Sequence, residues 1–382
     1  MPTVVPIDEF WDLTEGERRE VDAVTCATVG LMSGVYGILS FRVTDPGEVR
    51  RFREVELEGI RVPVGPCPNE RLGLVECLVP ATLRGRISGA ELLRRIAAGR
   101  EFHAVAVADD GTEHEVTVGP EDLDRALLAS TRTCFRNYTA FIHDGPEPER
   151  TIFAPRPLRP GEAAFSGCGG YNPLEHDPRL RLHRPGRRVL FCGAPAVITG
   201  TGTRSTPDRP NLTLHADLRE CDPRFMGEYR TAAGPENIAG VASAIAVTEE
   251  TLEWLDRRHE DAELPVVRLS DRRPVGSARY SDVWVQERVE WDPSRCENCD
   301  PCALEERCPY PYSDVRSGDC FHCGYCAEFC PAVRVRRGEL EVGGERYRVV
   351  ARESSAHLAR ELMREAAAAA EEGRIDLLTP GR

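Results

Sequence analysis

An α/β (or α+β) body followed by a compact cysteine-rich module is the fold class this sequence predicts, and three observations predict it. Eight of the fifteen cysteines fall between Cys296 and Cys330. Apolar stretches of strand composition, bounded by glycine turns, recur through the preceding body, and segments of helical spacing lie among them. The chain has 382 residues, enough for two or three domains and a full core. The expected division is residues 1–275 for the body, 276–338 for the cysteine module and 339–382 for a hairpin and C-terminal helix.

Taken in order, residues 21–41 read as a buried strand, a glycine-rich turn and a second apolar segment. Residues 88–99 and 120–128 carry helical patterns, and alternation on both sides of Asp109-Asp110-Gly111 predicts a hairpin. A proline- and arginine-rich connection, 154–160, leads into the glycine-dense stretch 165–173. Residues 188–198 form one expected buried strand, followed by a polar loop at 199–207. Residues 262–292 read as linker and strand into the cysteine module, and 354–372 as an amphipathic helix.

Within the module, Cys320, Cys323, Cys326 and Cys330-Pro331 have the spacing that wraps a [4Fe-4S] cluster. A tight C-x2-C-x2-C loop supplies three converging thiolates, and the fourth must come from elsewhere in the chain. In two-cluster ferredoxins the cysteine before the proline crosses to the other cluster. That assigns Cys320, Cys323, Cys326 and Cys308 to one cluster, and Cys296, Cys299, Cys302 and Cys330 to the other. The first motif is irregular, with a longer interval between Cys302 and Cys308 that suits a helical turn or a loop. Zinc ribbons also use C-x2-C pairs, but two triplets with two Cys-Pro ends exceed what tetrahedral zinc sites require. Disulfides do not suit clustered C-x2-C cysteines in a chain without an export signal. A two-cluster, ferredoxin-like module and electron transfer are therefore expected, with two [4Fe-4S] clusters as cofactors and an electron donor or acceptor protein as partner.

A net charge of −14 argues against nucleic acid, because phosphate binding needs a concentrated cationic surface. No long uninterrupted apolar run is present, so no membrane association is expected and the expected location is cytoplasmic. All 49 cationic side chains are arginine. The absence of lysine excludes Schiff-base chemistry and a P-loop lysine.

Residues 21–25 with the following glycine-rich turn, 136–140 with 150–153, 161–178 and 214–219 together resemble the homocysteine biosynthesis enzymes, or L-aspartate semialdehyde sulfurtransferases. With the cysteine module behind that body, the chain most closely resembles the branch called methanogenesis marker 16 metalloprotein. The resemblance implies reductive sulfur insertion into a small acidic metabolite. Aspartate semialdehyde would take sulfur from an enzyme cysteine persulfide, and a ferredoxin-type donor would supply the electrons that give homocysteine. The family's first cysteine falls on Ser33 and its second near Asp110, so neither position carries a thiol here.

Of the remaining cysteines, Cys26, Cys67, Cys77, Cys134, Cys168, Cys192 and Cys221, the substitutes expected as sulfur carriers are Cys168 and Cys26. Each lies beside a glycine turn whose amides would favour a thiolate, while the alternative is a small buried hydrophobe. Cys192 reads as core, and Cys67 with Cys77 forms a weak ligand pair. His176 and His215 each neighbour a carboxylate that would tune an imidazole for proton transfer, and the alternative for each is a structural histidine. His322 is expected to tune a cluster rather than ligate it. The loop 199–206, with Arg204, suits an anion such as an amino-acid carboxylate. A rival to the enzyme reading is an accessory protein that passes electrons or sulfur to a partner during assembly of a methanogenic cofactor or metalloenzyme.

Overall fold

The computed structural model describes residues 1–65, 71–136 and 138–381. It is a mixed α/β structure with several sheets, and most strand pairs are antiparallel. Among the described residues the largest sheet has eleven strands. Near one end of its strand order, but central to the core, lies the pair Ala23–Leu31 and Gly234–Ala246, whose apolar runs are buried on both faces, as a strand covered on both sides requires. A six-stranded sheet brings Ala140–His143, Glu162–Phe165 and Glu345–Arg352 side by side. A four-stranded sheet carries Phe102–Ala108 against Glu113–Val118, the hairpin expected at Asp109–Gly111.

Met32, Ser33 and Gly34 make the expected turn between Ala23–Leu31 and Val35–Arg42, with Gly34 at φ +80°. The expected helix at 88–99 is Gly89–Ala97, started by Ser88, whose hydroxyl accepts from the Glu91 amide at 3.1 Å. Two expectations are corrected. Residues 120–128 hold only a short 3₁₀ turn, Pro120–Asp122, and then the long strand Leu123–Thr133. Its neighbours Val35–Arg42 and Leu212–Asp217 take up its backbone groups, so sheet pairing overrides a helical pattern. Residues 188–198 are not one strand but a hairpin, Arg188–Phe191 and Ala194–Thr201, turned by Cys192 and Gly193 at φ +51° and +84°.

The C-terminal helix, Ala356–Glu371, is capped by Ser355 and lies on the central strand pair. The following strand, Leu377–Leu378, adds in parallel to Gly234–Ala246. This segment completes the body's core. The cysteine-rich lobe is held between the short pair Glu290–Trp291 and Val333–Arg334, with the helix Ala303–Arg307 in the longer Cys302–Cys308 interval. It has its own small core of Val289, Leu304, Cys326 and Val333.

An ion-pair network ties the lobe to the body. Glu328 accepts from Arg156 at 2.9 Å and from Arg348 at 2.6 Å, and pairs with Arg337, while Arg156 also holds Glu162 at 2.7 Å. Burial would raise the Glu328 carboxyl, but the three guanidinium groups hold it down to about 2. No helix among the described residues is long and apolar enough to cross a membrane.

Leu362 is fully buried beneath the central strands. Leu362→Ala should lower stability by about 2–5 kcal/mol in chemical denaturation, because the sheet cannot collapse into the space. A loss below about 0.5 kcal/mol would mean that the helix is not part of the core.

Candidate functional site

Four thiols converge in the lobe. Cys308, from the first motif, joins Cys320, Cys323 and Cys326, from the second, around a cavity of about 190 Å³ that is also lined by Leu304 and Phe321. The loop that presents them is shaped by His322 at φ +57° and Gly324 at φ +78°. The amide of His322 donates to Cys320 Sγ at 3.2 Å, and its ring Nδ1 accepts from the Val289 amide at 3.0 Å. His322 therefore sits behind the thiols rather than among them. Burial, with the charge of Cys323 acting in the same direction, pushes Cys308 up to about 11 and Cys320 up to about 12. Clustered thiols in so dry a place stay protonated unless a cation neutralises them.

The other four cysteines are arranged differently. Cys302 and Cys330 pack against the lobe's small core, Cys296 is half-buried and Cys299 is exposed. Among the described residues no three His, Cys, Asp or Glu side chains lie close enough to hold a single metal ion.

Body residues press on the cavity from behind. Arg230 donates from its amide to Pro309 O at 2.7 Å and from Nη2 to Cys308 O at 2.6 Å. Phe321 packs between Tyr229 and Tyr310. The fully buried Arg352 donates through Nη2 to His322 O at 2.8 Å, and its amide donates to Cys323 O at 3.1 Å. A guanidinium is thus fixed directly beneath the cysteine loop.

Cys168 and Cys26 are both fully buried, and the exposure expected of a carrier thiol is not there in this conformation. Cys168 Sγ lies 3.6 Å from Val29 O, and burial pushes its thiol up to about 11. Cys26 is likewise pushed well up, by burial and then by neighbouring Cys134. Cys192 is core, as expected, and Cys67 lies outside the described residues.

His176 is also fully buried, its ring nitrogens 2.8 Å from Trp254 O and 2.7 Å from Gly170 O, so it fastens the glycine-dense loop to the body. The carboxylate expected to tune it serves another ring. Asp177 Oδ2 accepts from His183 Nδ1 at 2.9 Å, and His183 Nε2 meets Ser243 Oγ at 3.0 Å, all three buried. Asp177 also takes the amides of Arg181, Leu182 and His183, which marks a loop organiser. His215 lies half-buried on Leu212–Asp217, while the Asp217 carboxylate is bound by Arg219 at 2.6 Å. The carboxylate partner expected for each histidine is thus engaged elsewhere. Of the expected loop 199–206, Thr199, Gly200 and Thr201 continue the strand Ala194–Thr201 because they pair with Leu212–Asp217, and the mostly exposed remainder bonds back to Thr131 O through the Thr203 amide.

A second polar concentration, which sequence reasoning missed, surrounds the Met32–Gly34 turn. Two backbone carbonyls hold the approach to the turn: Leu31 N donates to Glu353 O at 2.8 Å and Met32 N to Asn237 O at 2.9 Å. Gly30 is required there, since a methyl would stand 2.8 Å from Glu353 O. A methyl at Gly34 would stand 3.6 Å from the Cβ of Arg132. Glu353 is fully buried and Asn237 is 2% exposed, yet both oxygens of the first and both polar side-chain atoms of the second have no hydrogen-bond partner among the described residues. The same holds for the buried Nε of Arg132, while the buried Tyr229 hydroxyl is turned toward the Cys323 thiol. Burial raises the Glu353 carboxyl well above the usual range, helped by Glu236. Tyr229 lies within electrostatic reach of both Cys323 and Glu353, so the two polar sites are neighbours.

In chelator-treated protein, brief alkylation near neutral pH should mark exposed Cys299 and spare Cys168 and Cys26 until the fold opens, since only a reachable thiolate reacts. Peptide mass mapping reads the order. Rapid modification of Cys168 would mean that the glycine-dense loop opens in the native protein.

No solved structure matches this chain. An uncharacterized protein of Methanothermobacter thermautotrophicus is 40% identical over 94% of this chain and 87% of its own length. An uncharacterized protein of Methanocaldococcus jannaschii is 36% identical over 86% of this chain and 87% of its own. The L-aspartate semialdehyde sulfurtransferase of the same organism is 25% identical over 66% of this chain and 52% of its own. The profile of a family described as homocysteine biosynthesis enzyme, sulfur-incorporation, runs through residues 3–377, cysteine lobe included. The chain belongs to that family.

Proposed function

We propose that this chain carries out reductive sulfur transfer to a small acidic metabolite, with an aldehyde such as aspartate semialdehyde giving homocysteine, and that its lobe is a ferredoxin-like electron carrier. The observation that supports the reading best is the meeting of Cys308 with Cys320, Cys323 and Cys326 around one cavity, from motifs separated in sequence. These four would hold one [4Fe-4S] cluster, and Cys296, Cys299, Cys302 and Cys330 the other. The donor set fits: four thiols, a dry wall and an amide already aimed at Cys320 Sγ. When bound, such clusters supply single electrons at low potential. Carrying the donor on the same chain raises its effective concentration without a new contact. With hydrosulfide as sulfur source, turning an aldehyde into a thiol consumes an electron pair and protons and releases water. An electron-donor protein would refill the lobe.

The accessory reading is favoured by a specific observation: neither Cys168 nor Cys26 reaches solvent, and Ser33 stands at the family's first cysteine position. In that case the lobe passes electrons or sulfur to a partner.

Anaerobically prepared protein should contain about eight iron and eight acid-labile sulfide per chain. Zinc without inorganic sulfide would end the electron-transfer reading. Cys308→Ala should damage the site of Cys320, Cys323 and Cys326 selectively, seen as loss of one of two paramagnetic signals in the reduced protein.

Incubated with aspartate semialdehyde, sulfide and a low-potential reductant, the loaded protein should form homocysteine, detected by mass spectrometry. A clean absence of product moves the assignment to the accessory role.

A further inference from the structure

The polar groups at the Met32–Gly34 turn are too costly to be ornamental. A buried carboxyl, amide or guanidinium nitrogen left without a partner costs about 1–3 kcal/mol each, and three residues here, Glu353, Asn237 and Arg132, carry such atoms. They are not scattered. Arg132 stands beside Gly34, Asn237 and Glu353 hold Met32 and Leu31 by their carbonyls, and Tyr229 links this group to Cys323.

We propose that this buried polar cluster is the substrate site, in which Arg132 takes the carboxylate of a small amino acid and Glu353 and Asn237 receive its uncharged polar end, with Glu353 the acid that protonates a carbonyl oxygen. The proposal rests on the reductive sulfur-transfer reading for the last step, but not for binding. The guanidinium is in a chain otherwise strongly acidic, and it already lies 4.6 Å from the Phe135 ring, which keeps its face dry. A planar, weakly hydrated cation with a free Nε–H is suited to a carboxylate. At the other end, a neutral carboxyl donates a hydrogen bond where a carboxylate cannot, and Asn237 offers both a donor and an acceptor. Hydrosulfide adding to the carbonyl carbon pushes the C=O electron pair onto oxygen, which takes the Glu353 proton. The products are a neutral hemithioacetal and the Glu353 carboxylate, which regains its proton from solvent. No electrons are exchanged in this addition. The reduction that follows needs the electron pair, and Tyr229, within electrostatic reach of both Glu353 and Cys323, stands between the polar cluster and the cysteine cavity.

The test uses the full chain and an unreactive probe, L-homoserine, which keeps the amino-acid end and replaces the aldehyde by an alcohol. Calorimetry should show binding to the wild type, weaker binding of L-aspartate, whose second carboxylate would meet a buried acid, and a loss of homoserine affinity on the order of tenfold to a hundredfold in Arg132→Gln. In turnover, Glu353→Gln should lower kcat on the order of a hundredfold or more with KM little changed, and Glu353→Asp should recover part of it. Circular dichroism would check that each variant is folded. No homoserine binding to the wild type, or unchanged affinity in Arg132→Gln, overturns the site. If the wild type forms homocysteine and Glu353→Gln does so at full rate, the acid role is wrong while sulfur transfer stands. If the wild type forms none, the acid role falls with the reaction and the binding result still decides the site.

Discussion

Four consecutive polar residues, Arg352 to Ser355, run through the interior with no exposure, and the packing around them is set by how their hydrogen-bonding groups are satisfied. The Arg352 guanidinium holds the carbonyls of His322 and Glu287, which fixes the cysteine loop and the segment leading into the lobe. Glu353 joins the Ala23–Leu31 strand to Glu162–Phe165 through its carbonyl and amide. Ser354 Oγ donates to Gly167 O at 2.6 Å, and Ser355 caps the C-terminal helix. One extended tetrapeptide therefore sets the mutual position of the lobe, the glycine-dense loop, the central sheet and the last helix. Such a buried polar thread is unforgiving, because removing any partner leaves another group dry and unpaired.

The same thread explains why the two polar sites are adjacent. Arg352 faces the lobe and Glu353 faces the turn, and alternation along an extended chain sends successive side chains in opposite directions. Tyr229, on Met226–Thr231, lies between them. The glycine-dense loop, which sequence reasoning favoured, has a different use. Its residues are fully buried, and His176 and Ser354 lock it in place.

Much of this was legible in the residues. Alternation around a turn identified the Asp109–Gly111 hairpin, and helical patterning identified Gly89–Ala97 and Ala356–Glu371. Those signals are local. The strand Leu123–Thr133 was not legible, because its identity depends on neighbours far away in sequence. Cys192-Gly193 hides a turn inside an apolar run. The Asp177–His183 pair was missed because attention fell on the adjacent His176. Glu353 gave no signal at all: in an Ala-Arg-Glu-Ser-Ser context it reads as surface, and only long-range packing buries it. The convergence of Cys308 with the second motif was readable because cluster chemistry dictates spacing, whereas a substrate recess has no such grammar.

The strands that close the central sheet come from both sides of the cysteine lobe in the chain. Leu377–Leu378 and the helix Ala356–Glu371 follow the last cysteine, yet they complete the core laid down by Ala23–Leu31 and Gly234–Ala246. During synthesis the thiols of the lobe therefore leave the ribosome while the body still lacks its final layer. The cavity they line is open until Arg352, which follows them in the chain, is seated beneath the cysteine loop. An order of assembly is thus written into the topology: thiols first, closure second.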